Sequence, residues 1–118
     1  MHVKLENAYI DLPLAAPGVA PTMLTERNIT STSVTLSWEP PASNLQNGVI
    51  RHYLIQVLES ETGLSYTYQT TAHTVFIVGD LHPYYTYTFS VQAVTVAAGP
   101  LSTSRSLRTL EDGMFNAE

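Results

Sequence analysis

The sequence has no cysteine, and only 13% of its 118 residues are charged. The first absence removes disulfide frameworks, thiol nucleophiles and thiolate zinc sites together. The second, beside 44% hydrophobic residues, excludes a chain kept disordered by its own solvation. Basic residues are scarce as well. Five Lys and Arg against ten Asp and Glu leave a formal net charge of -5, which repels phosphate backbones and anionic lipid, so no nucleic-acid partner is expected. No apolar run approaches the ~20 residues of a membrane-crossing helix, and no direct membrane insertion is expected. The opening Met1-His2-Val3-Lys4-Leu5-Glu6 lacks the basic, apolar and small-residue regions of a secretion signal.

Catalytic and metal-binding patterns are missing too. There is no Gly-x-Ser-x-Gly elbow and no phosphate-cradling glycine loop among six scattered glycines. His2, His52, His73 and His82 form no i, i+4 pair of the kind a zinc site uses. Glu59 and Glu61 flank a turn and Asp80 precedes another. They read as solvated turn acids, because paired carboxylates act as acid and base only across a cleft. The expectation is therefore no enzyme, no catalytic residue, no metal and no cofactor.

What remains is punctuation and alternation. Between Pro21 and Thr109, short β-branched or aromatic runs are separated by turn signals, with no sustained helical period. Strands are predicted at Leu24 to Arg27, Ser33 to Glu39, Ile50 to Leu58, Tyr66 to Thr70, around Phe76 and Val78, at Tyr85 to about Val96, and at Ser102 to Thr109. In the second, Val34, Leu36 and Trp38 share a face; in the third, Tyr53, Ile55 and Val57 point inward and His52, Leu54, Gln56 and Leu58 outward. Leu81-x-Pro83-x-x-x-Tyr87 precedes the alternating run Tyr87, Phe89, Val91, Ala93. That spacing suits a tyrosine corner, in which the Tyr hydroxyl bonds backbone a few residues upstream. The fold class expected is all-β: a seven-stranded antiparallel Greek-key β-sandwich, immunoglobulin-like.

The motifs Pro21-x-x-Leu24, Thr32-Ser33-Val34-x-Leu36-Ser37-Trp38-x-Pro40-Pro41, Asn47-Gly48-Val49-Ile50-x-x-Tyr53-x-Ile55, Leu81 to Val94 and Gly99-Pro100-x-Ser102 occur in order. With them the chain closely resembles a fibronectin type III domain over residues 21 to 109. An immunoglobulin domain would carry its Trp on the third strand against a cysteine bridge; here Trp38 is on the second and cysteine is absent. The chain departs from the family at Glu26, where an apolar residue usually points inward, and at Tyr85, where threonine is common.

The resemblance implies a core of Leu24, Ile29, Val34, Leu36, Trp38, Tyr53, Ile55, Leu81, Pro83, Tyr87, Phe89 and Val91. Residues 1–20, with the proline-rich stretch Pro13 to Pro21, read as an N-terminal linker or added extension, and 110–118 as a C-terminal linker. Residues 1 to 16 are expected outside the sandwich. Asn28-Ile29-Thr30 is an Asn-x-Thr sequon, and Asn28 should face outward if Ile29 faces the core. The resemblance most often leads to multidomain cell-surface adhesion or receptor proteins, acting as spacers and protein-recognition modules. Its partners would be other proteins and neighbouring domains, with weak self-association through an edge strand or outer sheet face. An intracellular elastic spacer of a muscle-type array is the alternative, and a hydrolase accessory domain a third reading. The contact face is placed on Leu54, Gln56 and Leu58, with Tyr66 or Tyr68 at its margin.

Overall fold

A strand that alternates apolar and polar residues must bury one face. The computed structural model describes residues 2–4, 9–11 and 15–113, and it turns that rule into two layers. Strands β1 (His2–Lys4) and β2 (Tyr9–Asp11) precede β3 (Thr22–Ile29), β4 (Val34–Glu39), β5 (His52–Glu59), β6 (Ser65–Gln69), β7 (Val75–Val78), β8 (Thr86–Val94) and β9 (Arg105–Arg108). Seven of them, β3 to β9, form two antiparallel sheets in the orders β3-β4-β7 and β6-β5-β8-β9. Strands β1 and β2 pair with each other in a sheet of their own, Val3 opposite Ile10.

The inward faces make one core of Val34, Leu36, Trp38, Tyr53, Ile55, Val57, Val78, Leu81, Tyr87, Phe89, Val91 and Ala93. Trp38 meets Tyr53 edge-on at 5.2 Å between ring centroids, a geometry that the ring quadrupoles favour. Leu24 and Ile29 are half-buried and pack against this core from the edge strand. Pro83, expected within it, is only half-buried at the corner and lies outside the cluster. Its ring fixes φ in a turn, a backbone role that needs no burial.

Strand ends differ from the pattern wherever side chains replace ladder bonds. Only Arg105 to Arg108 pairs as the last strand, because Ser102 Oγ accepts the Val91 N–H at 3.0 Å and stands in for a ladder carbonyl. Strand β8 begins after Tyr85, whose N–H goes to Thr109 Oγ1 at 3.0 Å. Strand β3 is longer than expected and carries two register shifts against β4, which let it follow the twist of the sheet edge. The connection between β4 and β5 contains a 3-10 turn at Ser43–Leu45.

Glu26 faces inward opposite Leu36, as the strand phase requires, yet it does not simply tilt to water. Arg105 on β9, opposite the inward Phe89 of β8, reaches it across the open side of the sandwich with two hydrogen bonds, Nε to Oε1 at 2.9 Å and Nη2 to Oε2 at 3.1 Å. Two edge strands thus each point a charge inward and neutralise one another, a device that also discourages edge pairing. Burial raises the Glu26 pKa, but its own backbone amide and the Arg105 guanidinium outweigh that and hold the carboxyl below its ordinary range. A group depressed in the folded state contributes stability above its unfolded pKa and loses it as pH falls. The contribution is small because the pair is partly exposed.

Residues 15–18, at the end of the expected N-terminal linker, contact the loops of the sandwich. Thr95 donates its hydroxyl to Ala15 O, Gly18 N–H bonds Leu45 O at 2.8 Å and Asn47 Nδ2 bonds Ala16 O at 3.0 Å. Pro17, buried by these loops, leaves no room beside Gly99: a Cβ there would meet Pro17 O at 2.9 Å.

Two outcomes test this packing in chemical denaturation. Trp38→Ala should cost ~3–5 kcal/mol, as large-to-small core changes do; an unchanged midpoint would remove Trp38 from the centre. Gly99→Ala should cost about 1–3 kcal/mol through overpacking against Pro17 and speed amide exchange at Gly18, and exchange that does not change would show that residues 15–19 are not held there.

Candidate protein-recognition site

The corner comes first, since it positions everything on the four-stranded sheet. Strand β8 places Tyr87 inward, and its hydroxyl accepts the His82 N–H at 2.8 Å, five residues upstream. The same hydroxyl donates to Glu59 Oε2 at 3.2 Å. Glu59 is 2% exposed, and Thr62 Oγ1 donates to its other oxygen at 2.7 Å, with Tyr66 Oη at 3.5 Å from Oε2. The solvated-acid reading of Glu59 is therefore corrected: it is a buried carboxylate fed by three hydroxyls. The signal was in the phase, because Glu59 continues the inward series Tyr53, Ile55, Val57. Glu61 is exposed and accepts the Thr86 N–H. Burial, and next to it the Glu59 charge set against the His82 bond, push the Tyr87 hydroxyl up to about 12.

With this frame in place, the outer face of the sheet reads row by row. Leu54 lies between Gln69 and Gln92, Gln56 between Thr67 and Ser90, and Leu58 between Ser65 and Thr88. Not one of these nine side chains ionises. Thr67 Oγ1 donates to Gln56 Oε1 at 2.7 Å, Gln56 Nε2 to Gln92 Oε1 at 2.9 Å, and Gln92 Nε2 to Gly99 O at 2.9 Å. The two leucines flank this ladder, Leu54 half-buried and Leu58 43% exposed.

Tyr66 and Tyr68 do not join them. They stand opposite the inward Val57 and Ile55, and cross-strand partners share a face, so both tyrosines lie on the core side. Tyr68 packs on Phe76 at 6.1 Å and Tyr66 turns to Glu59. Sequence reasoning paired them with the leucines because it lacked the register between β5 and β6. His52, His73 and His82 lie on separate elements, and among the described residues no three metal-ligating side chains cluster.

The profile of the family described as "Fibronectin type III domain" matches residues 19–108. The chain belongs to the fibronectin type III family. The domain is similar to the human cell adhesion molecule DSCAML1, 35% identical over 105 residues spanning 83% of this chain and 5% of that protein. It is 38% identical to human Roundabout homolog 2 over 85 residues, 70% of this chain and 6% of that protein. Zebrafish (Danio rerio) receptor-type tyrosine-protein phosphatase F is 34% identical over 102 residues, 86% of this chain and 5% of that protein. The chain thus spans about a twentieth of the length of these curated relatives. The solution structure of the third fibronectin III domain of human KIAA0343 protein shares the fold, with a TM-score of 0.79 and 19% identity over 98% of this chain and 100% of that one. A fibronectin type III domain whose tyrosine corner closes on a buried glutamate is the result.

Tyr87→Phe should cost about 1–3 kcal/mol, since it leaves the His82 N–H without its acceptor and takes from the buried Glu59 Oε2 the nearer of its two hydroxyls. The sign of the pH dependence follows from a raised folded pKa. The stabilisation is complete below pH 10 and disappears as pH rises through about 12. Denaturation midpoints of wild type and Tyr87→Phe should therefore converge across that window; a gap that persists to pH 12 would show that the hydroxyl does not carry the difference.

Proposed function

We propose that this domain is a non-catalytic spacer and protein-recognition module in the ectodomain of a cell-surface adhesion or receptor protein, and that it meets its partner through the outer face of the β6-β5-β8-β9 sheet. One observation carries the choice of face: nine neighbouring side chains without a charge, on a chain of net charge -5. Interface cores are depleted in charged residues, and here the charges stand at the margin, where Arg108 bonds Thr86 Oγ1 and Glu61 bonds the Thr86 N–H. The hydrogen-bonded glutamines hold the surface flat while Leu54 and Leu58 supply apolar contact. Partners are other proteins, with a second copy of the chain as a weaker one. The relatives above 30% identity include a cell adhesion molecule and a receptor-type phosphatase, which supports the adhesion reading over a muscle-type intracellular spacer. Residues 110–118 would serve as a linker, leaving the sandwich at Leu110, whose N–H bonds Thr30 O at 3.1 Å.

The double substitution Leu54→Glu, Leu58→Glu puts two charges on this face without touching the core. Binding of the labelled domain to intact adherent cells, and to itself, should weaken at least tenfold, ~1.4 kcal/mol. The melting midpoint should stay near that of wild type, since both side chains point away from the core. Unchanged binding by a folded double variant would reassign this face as plain surface.

A further inference from the structure

The opposite face of the sandwich raises a different question, because its composition leaves a liability uncovered. Strand β7 is a sheet edge, and its sequence Val75-Phe76-Ile77-Val78 contains no charge, proline or bulge. Val75 and Ile77 point away from the core, 49% and 62% exposed. Edges of this kind template pairing with another chain unless something blunts them. The other edge of the same sheet, β3, carries Glu26, Arg27 and two register shifts. Among the described residues, no such protection lies along β7.

The register connects this edge to the sequon. Asn28 stands opposite Thr35 on β4, and Thr35 stands opposite Ile77 on β7, so the three form one row across the outer face. Asn28 is exposed; Ile29, next to it, packs against the core; and Thr30 Oγ1 lies 2.6 Å from Ser33 Oγ in the turn that follows. The acceptor residue therefore stands on the outer face two strand spacings, roughly 10 Å, from Ile77. We propose that Asn28 is an N-linked glycosylation site whose glycan lies along this row and shields the apolar edge at Val75 and Ile77. The inference rests on the cell-surface placement above, which is where an Asn-x-Thr acceptor meets its modifying enzyme. The transfer forms one C–N bond between the Asn28 amide nitrogen and the anomeric carbon of a lipid-linked oligosaccharide. The amide gives up one proton, and the lipid pyrophosphate leaves with the electron pair of the broken C–O bond. With the glycan over the three-stranded sheet, the uncharged face of the four-stranded sheet is the one left open to partners.

The chain is expressed in mammalian cells behind a cleavable secretion signal, so occupancy at Asn28 is read independently of where the parent protein resides. Intact mass before and after enzymatic deglycosylation should show a glycan on wild type and on Thr30→Ser, which keeps both sequon and hydroxyl, and none on Asn28→Gln. A folded, secreted wild-type chain with unmodified Asn28 overturns the site while leaving the recognition reading standing. The shielding is read by sedimentation: the deglycosylated chain and Asn28→Gln should self-associate at concentrations where the glycosylated chain is monomeric, and Ile77→Thr added to Asn28→Gln should restore the monomer. Equal sedimentation of glycosylated and deglycosylated chains overturns the shielding. Flanking-sequence and surface-labelling tests of the parent protein decide the cell-surface placement separately.

Discussion

One hydroxyl group holds this domain's two halves in register. The chain leaves β7 in the three-stranded sheet, passes through Leu81 and Pro83, and enters β8 in the four-stranded one. Tyr87 Oη stands where that crossing must be fixed, accepting from His82 N–H and donating to Glu59. A buried donor and acceptor are satisfied by a single atom, and the carboxylate at the end of β5 is tied to the loop that joins the sheets. Removing either partner would leave a buried polar group, which costs more than the bond itself contributes. Glu59 has no cation beside it among its hydrogen-bond partners; three hydroxyls solvate it instead. The corner is thus a small polar network inside a mostly apolar core, and such networks specify one arrangement because a half-satisfied version is worse than none.

The open sides of the sandwich are managed by different physics. At the β3–β9 side a carboxylate and a guanidinium, both partly in water, neutralise each other across the gap, so neither is left unpaired. The β7 side has no charge of its own, and its outward Val75 and Ile77 stand exposed. At the end of the sandwich nearest residue 15, the loop after β4 and the turn after β8 are bridged by residues 15–18, with Pro17 wedged against Gly99. These two loops are not independent, since the same short segment bonds to both. The loops at this end of the four-stranded sheet are thus tied to one another through residues 15–18.

The alternation of β4, β5 and β8 determined the fold class, the centre of the core and the outward series Leu54, Gln56, Leu58, because a period of two assigns each side chain to a face without knowledge of what lies opposite. The corner was legible for the same reason, as a local spacing of Leu, Pro and Tyr. Glu59 lay within reach of that reasoning and was misjudged by residue type rather than by phase. What only the tertiary structure decided depends on pairs far apart in the chain. The register of β5 on β6 turned Tyr66 and Tyr68 away from the leucines. The approach of β3 to β9 gave Glu26 its arginine, 79 residues away. Contacts between residues 15–18 and two distant loops tie the end of an expected linker to the sandwich. Faces follow from local periodicity; partners follow from how separate strands are brought together, and a single strand's sequence carries no record of its neighbour's register.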